Sequence, residues 1–339
     1  MSNKENDGPK RILTGDRPTG KLHLGHYVGS LKNRVKLQNK YETFLIIADV
    51  QALTTNFESP DQISQDVRQV AKDYLAVGID PEKTTILIQS MIPEIAELTV
   101  YYSMIVTVNQ LKRNPTIKSE SEQYGYDDMS YGFLGYPVSQ AADITFCKAD
   151  LVPVGEDQLP HIEQTRHIVR KFNNLYGEVF PEPEALVGDF PRLSGLDGKN
   201  KMSKSLNNAI FLSDSADTVK EKINKAVTDP ARIKIDDPGH PEVCTVFEYH
   251  QAFNEENADE IEKKCRAGEI GCVACKNRLT DTINELLEPM RERRVKYENN
   301  PKLIDEILYS GTKKARKIAK ETMKETKEVM NLDYFSKKI

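Results

Sequence analysis

The chain is predicted to fold as an open α/β structure with a parallel sheet, followed by a helical region. Three observations predict this. Over the first two-thirds of the 339 residues, short apolar runs of strand character alternate with amphipathic helical stretches. A glycine-bearing turn follows the first of those runs directly. After about Ser213 the character changes, and from about Thr245 highly charged helical spacing takes over.

The first strand is "RILTG", the second "TFLIIAD" (Thr43–Asp49) and the third "TTILIQS" (Thr84–Ser90), introduced by "GIDPEKT". Between the second and third, residues 62–77 repeat apolar positions at helical spacing: Ile63, Val67, Val70, Ala71 and Tyr74. Buried strands crossed over by helices form parallel sheets whose ligands sit beyond the carboxyl ends of the strands. The turn after the first strand is therefore in a ligand-binding position by topology alone. Further on, "TDPARIKIDDPGHPE" is rich in proline and aspartate and reads as a loop. From about Thr245 the pattern is helical, and the last helix carries Ala315, Ile318, Ala319, Met323 and Val329 on one face. No internal repeat or low-complexity segment interrupts the chain.

Composition sets outer limits. Apolar residues make up 38% and charged residues 29%, ordinary for a soluble protein able to bury a core. The net charge of −5 does not advertise nucleic-acid binding, although a local basic patch is what decides that. The start, MSNKENDGPK, has no apolar stretch of signal-peptide type, and "FLIIADV" and "TVYYSMIVTV" are too short or too polar to span a bilayer. A cytoplasmic protein with no membrane partner is expected. Five cysteines, an odd number without secretory context, argue for metal or thiol chemistry over disulfides.

Two loops carry chemistry. In "GDRPTGKLHLGH" (Gly15–His26), Gly20 and Gly25 let backbone approach a ligand, and the residues from Leu24 open a helix whose amides attract phosphate. His23 and His26 lie three apart, so both are expected to face one phosphate. Alone, the stretch reads equally well as a turn with two surface histidines. "GKNKMSKS" (Gly198–Ser205) supplies three lysines and two serines, mobile donors suited to a polyphosphate that gains charge during reaction. Alone, it reads as a solvated basic loop. The two occur together and in order.

With "HLGH" and "KMSKS" both complete, the sequence resembles class I aminoacyl-tRNA synthetases. The resemblance implies a Rossmann-like parallel-sheet catalytic domain over 1–205, ending in the KMSKS loop, and a helical anticodon-binding domain over 206–339 whose last helix packs back on the first domain. It also implies ATP with Mg²⁺ as substrate, and attack of an amino-acid carboxylate on the α-phosphate. His23, His26, Lys201 and Lys204 would stabilise the transition state and the departing pyrophosphate. The matching ATP-binding positions are Arg17, Pro18, Thr19, Gly25, His26, Gly155, Glu156, Asp157, Arg192, Lys201, Met202, Ser203, Lys204 and Ser205. Lys118 is a further candidate lysine.

The stretch "YPVSQAADITFCKADLVPVGEDQLPHIEQTR" (Tyr136–Arg166) resembles the tryptophanyl-tRNA synthetase pattern, of the bacterial second subgroup in which Gln51 stands for a histidine. The resemblance implies that Asp143 accepts the indole N–H, with Tyr136, Gln158, Gln51 and Gln140 around the amino acid. The chemistry is sound: an indole N–H only donates, and a ligand lacking it would strand a buried carboxylate. Gln140 departs from a more common methionine. "YPxxQxxD" also occurs in tyrosyl-tRNA synthetases, but Leu13 stands where those enzymes place a phenol-binding tyrosine.

Cys244, Cys265, Cys272 and Cys275 fall close together, the last two as CxxC. Four unrelated thiols, a zinc tetrahedron and a [4Fe–4S] cluster are all compatible with that. A minority of tryptophanyl-tRNA synthetases carry such a cluster, and their Cx₆CxxC element is similar to Cys265–Cys272–Cys275, which favours iron–sulfur over zinc. Cys147 reads as packing. The basic positions Lys313, Lys314, Arg316, Lys317 and Lys320 are expected to touch tRNA(Trp) or simply to be solvated. The resemblance implies a homodimer, and the apolar stretch Leu98–Val108 reads equally as an interface for it or as core. Three functions are weighed: tryptophan activation and transfer to tRNA, with the tyrosyl enzyme as its variant; adenylyl transfer without RNA; and a non-catalytic iron–sulfur RNA-binding paralogue.

Overall fold

A computed structural model describes residues 8–187, 193–200, 202–203 and 206–334, apart from the side chain of Asp157. Five parallel strands build the sheet: β1 (Arg11–Asp16), β2 (Glu42–Ile47), β3 (Thr84–Ile88), β4 (Leu151–Val154) and β5 (Glu184–Val187). Their spatial order is β3-β2-β1-β4-β5. The chain winds outward from β1 to β3 on one side, then returns to lay β4 and β5 on the other. The direction reverses between β1 and β4, paired through Ile12 and Leu151, and a crevice opens there at the carboxyl ends. The three strands expected from sequence all form, β2 and β3 one or two residues shorter than their apolar runs.

Alternation sorts the strand side chains onto two faces. Leu45, Ile47 and Ile86 face the Pro60–Val77 helix, and beyond it Leu279, Ile283, Leu287 and Met290 of the Cys272–Glu298 helix join the same core. Leu13, Phe44, Ile46 and Leu87 face the helices Pro93–Ser103, Tyr131–Thr145 and Leu159–Tyr176. The Pro60–Val77 helix starts with proline at its first position and stops at Gly78, whose N–H returns to Leu75 O. All five apolar positions expected on it are buried.

The helical region comprises Thr245–Phe253, Glu255–Arg266, Cys272–Glu298 and Pro301–Val329, after a loop over 228–240. The last helix packs along the outer strand β3. Its Thr312 hydroxyl accepts the Ile88 N–H at 3.1 Å, and Ala315, Ala319 and Met323 enter the sheet core. Gly311 permits this approach, because a Cβ there would stand 2.0 Å from Ile86 O. An open sheet edge is thereby covered. Lys327–Glu97, Arg316–Glu94 and Lys148–Glu325 pairs flank the contact. Among the described residues no helix is long and apolar enough to cross a membrane.

Candidate active site

β1 delivers the chain into the crevice at Gly15–Asp16. Burial alone would push the Asp16 carboxyl up, but Arg34, 2.6 Å away, with help from His26 and the Tyr74 hydroxyl at 2.7 Å, holds it down at about 2. This triad, with Arg34 and Tyr74 buried and Asp16 partly so, pins the turn from which Arg17, Pro18 and Thr19 start. The next segment is stapled to the residues that follow the lysine loop. Leu24 N–H donates to Ile210 O at 2.9 Å and Leu212 N–H to Leu22 O at 3.0 Å, while Leu22, Leu24 and Met202 share one apolar core. Ser203 N–H donates to Asn208 Oδ1 at 2.7 Å. The two signature loops, far apart in sequence, are neighbours in space. Lys201, Lys204, Ser205 and Arg192 lie outside the described residues.

The two histidines are not equivalent. His26 lines the crevice, whereas His23 is buried behind it, its ring centroid 3.9 Å from that of His26. Of the two histidines expected at one phosphate, His26 is on the cavity wall and His23, 8% exposed, packs against it. His23 N–H donates to His26 Nδ1 at 3.2 Å, which puts the proton of a neutral His26 ring on Nε2. Gly25 makes this packing possible, since a Cβ there would meet the His23 ring at 3.0 Å.

A cavity of about 420 Å³ runs from this loop into the molecule. Arg17, Thr19, His26 and Gly155 line one end; Gln51, Tyr136, Gln140, Asp143 and Gln158 line the other. Pro18, Gly25 and Glu156 are not on its wall, and neither is Lys118, exposed on the Pro115–Tyr124 helix. Asp143 is only 4% exposed. Burial pushes its carboxyl up to about 7, against hydrogen bonds from Gln89 and Gln51 that lower it. The Tyr136 hydroxyl and His161 Nε2 are 3.0 Å apart, and burial raises the phenol well above its usual range.

Gln89 and His161 escaped the sequence reading. Gln89 is a polar residue ending an apolar strand, and His161 follows Gln158 by one helical turn. Those were the available signals.

The four clustered cysteines are all half-buried. Burial raises the Cys275 thiol to about 12, and Cys244, Cys265 and Cys272 push it the same way, so the four lie within reach of one another's charge. Arg232 Nη1 approaches Cys265 Sγ at 3.8 Å. Yet among the described residues no three Cys, His, Asp or Glu side chains are arranged to hold a metal. The thiols gather, but their arrangement does not support the expected metal site. Cys147 is fully buried in the core, as packing requires.

A switch-point crevice fed by a glycine turn, with a carboxylate at its floor, is the ligand site of an α/β nucleotide-binding enzyme. A family model described as tRNA synthetases class I (W and Y) matches residues 4–288. The tryptophan–tRNA ligase of Clostridium longisporum is 52% identical over 333 residues, covering 96% of this chain and 98% of that one. That of Lactococcus lactis is 51% identical over 335 residues, with the same coverage. The crystal structure of tryptophanyl-tRNA synthetase from Campylobacter jejuni complexed with ADP and tryptophan superposes with a TM-score of 0.84 at 35% identity, covering 95% of this chain and all of that one. The chain belongs to the class I tRNA synthetase family of W and Y enzymes, and is an aminoacyl-tRNA synthetase.

Proposed function

We propose that this chain uses ATP to convert L-tryptophan to tryptophanyl-adenylate and then charges tRNA(Trp). The observation that carries the reading is Asp143, a buried acceptor at the floor of a cavity whose other end is formed by the HLGH loop. The tryptophan carboxylate attacks the α-phosphate, the bond to the bridging oxygen breaks, and pyrophosphate leaves with its Mg²⁺. His26 Nε2–H is aimed to donate to phosphate oxygens, with His23 bracing its ring. Lys201 and Lys204 take the same role by family resemblance, within the loop that includes Met202, Ser203 and Ser205. Arg17, Pro18, Thr19, Gly25, Gly155, Glu156, Asp157 and Arg192 complete the ATP site. Each such donor contributes on the order of 3 kcal/mol to the transition state. Tyr136, Gln158, Gln51 and Gln140 surround the amino acid. ATP–pyrophosphate exchange with tryptophan and tyrosine side by side tests this: exchange with tryptophan alone is expected, and exchange with tyrosine or with neither sinks it.

The assembly follows the same reading. Residues 1–205 form the catalytic domain and 206–339 the anticodon-binding domain of a cytoplasmic homodimer. Exposed Phe57, Val108 and Tyr131 line an apolar hollow, and exposed Val100 and Met104 follow its lining residues Thr99 and Ser103 in the chain, which supports pairing on that face. Sedimentation of a Phe57→Glu, Met104→Glu variant should give a monomer; an unchanged mass rejects this face. Cys244, Cys265, Cys272 and Cys275 would hold a [4Fe–4S] cluster, or else zinc, supported by their donor chemistry alone. Such a group would brace the anticodon-binding surface. Iron, zinc and acid-labile sulfide in anaerobically purified protein decide it, and none of the three rejects it.

A further inference from the structure

Gln89 lies outside every sequence motif. It sits at the carboxyl end of β3 in the Gln89–Met91 turn and is 2% exposed. A buried amide needs partners at both ends. Its Oε1 accepts the Gln51 backbone N–H at 3.1 Å, which assigns the oxygen and turns Nε2 toward Asp143. Nε2 then stands 2.8 Å from both Oδ1 and Oδ2. Gln51 Nε2 adds a longer contact to Oδ2 at 3.4 Å, shared with Tyr136 O at 3.3 Å. The donors on Asp143 are thus neutral amides. The charged group acting on it from the surrounding elements is Asp49, at the head of the Asp49–Asn56 helix, which opposes ionisation.

We propose that Gln89 is a positioning residue for side-chain recognition: its amide, oriented by the Gln51 backbone, keeps Asp143 a carboxylate with lone pairs left for an N–H in the cavity. This rests on the reading of Asp143 as the indole acceptor. Arginine or lysine at this position would ionise Asp143 more firmly, but as an ion pair that occupies the oxygens the ligand needs. A neutral donor favours the carboxylate and leaves room on it. Gln89 therefore acts through the charge state of Asp143, and its effect depends on pH.

The test is pyrophosphate exchange by the full chain across about pH 6 to 9, with tryptophan and with β-(benzothienyl)alanine, whose sulfur replaces the indole N–H. In the wild type the tryptophan KM should rise about tenfold per unit below pH 7, with the analogue KM flat. Gln89→Met should move this acid limb up by about one unit and raise the tryptophan KM about fivefold at pH 7. The kcat, the ATP KM and the analogue KM should stay within about twofold. Gln89→Glu, nearly isosteric, should fold in any case and shift the limb the same way, because two carboxyls then share a proton. Equal losses for both amino acids, or an unmoved limb in both variants, overturn the role of Gln89. Asp143→Leu, which has no acceptor, separates the two readings. If it leaves selectivity for tryptophan over the analogue intact, the reading of Asp143 fails. If it abolishes selectivity while both Gln89 variants behave as wild type, only the role of Gln89 fails.

Discussion

Replacing Arg294 with methionine should destabilise the protein by about 3–5 kcal/mol, the range for withdrawing one partner from a buried ion pair. Arg294, 5% exposed, joins Asp73, which is 0% exposed, through Nη1, and donates to Gln69 Oε1 at 2.9 Å and Glu298 Oε1 at 2.7 Å. The other oxygen of Asp73 accepts the Leu22 N–H at 2.8 Å, one residue before the HLGH loop. Methionine keeps the apolar stem and removes the charge. At about 2 °C per kcal/mol in a chain of this size, the thermal midpoint should fall by roughly 6–10 °C. If the loss comes from the carboxylate left in a dry interior, adding Asp73→Asn should recover part of it, since asparagine can still accept from Leu22. The readouts are the thermal midpoints of both single variants and the double, with the KM for ATP, which should rise in Arg294→Met and recover in the double. A single-variant loss under about 1 kcal/mol, or a double variant no more stable than additivity gives, would falsify the reasoning.

Other expectations concern the site itself. Asp143 has a native pKa of about 7, above its unfolded value, so the folded state binds the extra proton between about pH 4 and 7. The carboxylate therefore costs stability increasingly as pH rises through that window. Asp143→Asn should be the more stable protein above pH 7 by up to about 4 kcal/mol, a gap that denaturant titration should see vanish near pH 4. Gly25→Ala forces the His23 ring to move by a few tenths of an ångström and should cut kcat for exchange about tenfold, with tryptophan binding kept; full activity would show that the close packing does not matter. Lys313, Lys317 and Lys320 carry no ion pair among the described residues and share one groove. Changing all three to glutamine should lower the slope of log affinity for tRNA against log salt by about 2–3, and an unchanged slope would return them to plain solvation.

How much of this could be read from sequence differs by element. β2 and β3 are buried on both faces and therefore appear as unbroken apolar runs, as parallel strands do. β5, four residues and partly exposed, gives no such run. The HLGH loop was legible because its glycines and histidines are rare at a strand-to-helix turn. The inequality of His23 and His26 was not, because it depends on the Ile210–Leu212 segment against which the loop is stapled. Asp143 stood out among alanines. Gln89 did not, because its partners, Gln51 and Asp143, belong to other elements and leave no periodic trace. Spacing grouped the four cysteines but carried no information on how their sulfurs would be arranged.

The helix lying on β3 has a consequence in time as well as in space. β3 is complete at Ile88, but Pro301, where its cover begins, is made roughly two hundred residues later. At ~5–20 residues per second, synthesis of that interval takes about 10–40 s. Throughout it the nascent sheet has one open side, a row of unpaired N–H and C=O groups next to apolar side chains. Whatever guards this chain on the ribosome has that window in which to act, and a pause within the Cys272–Glu298 helix would lengthen it.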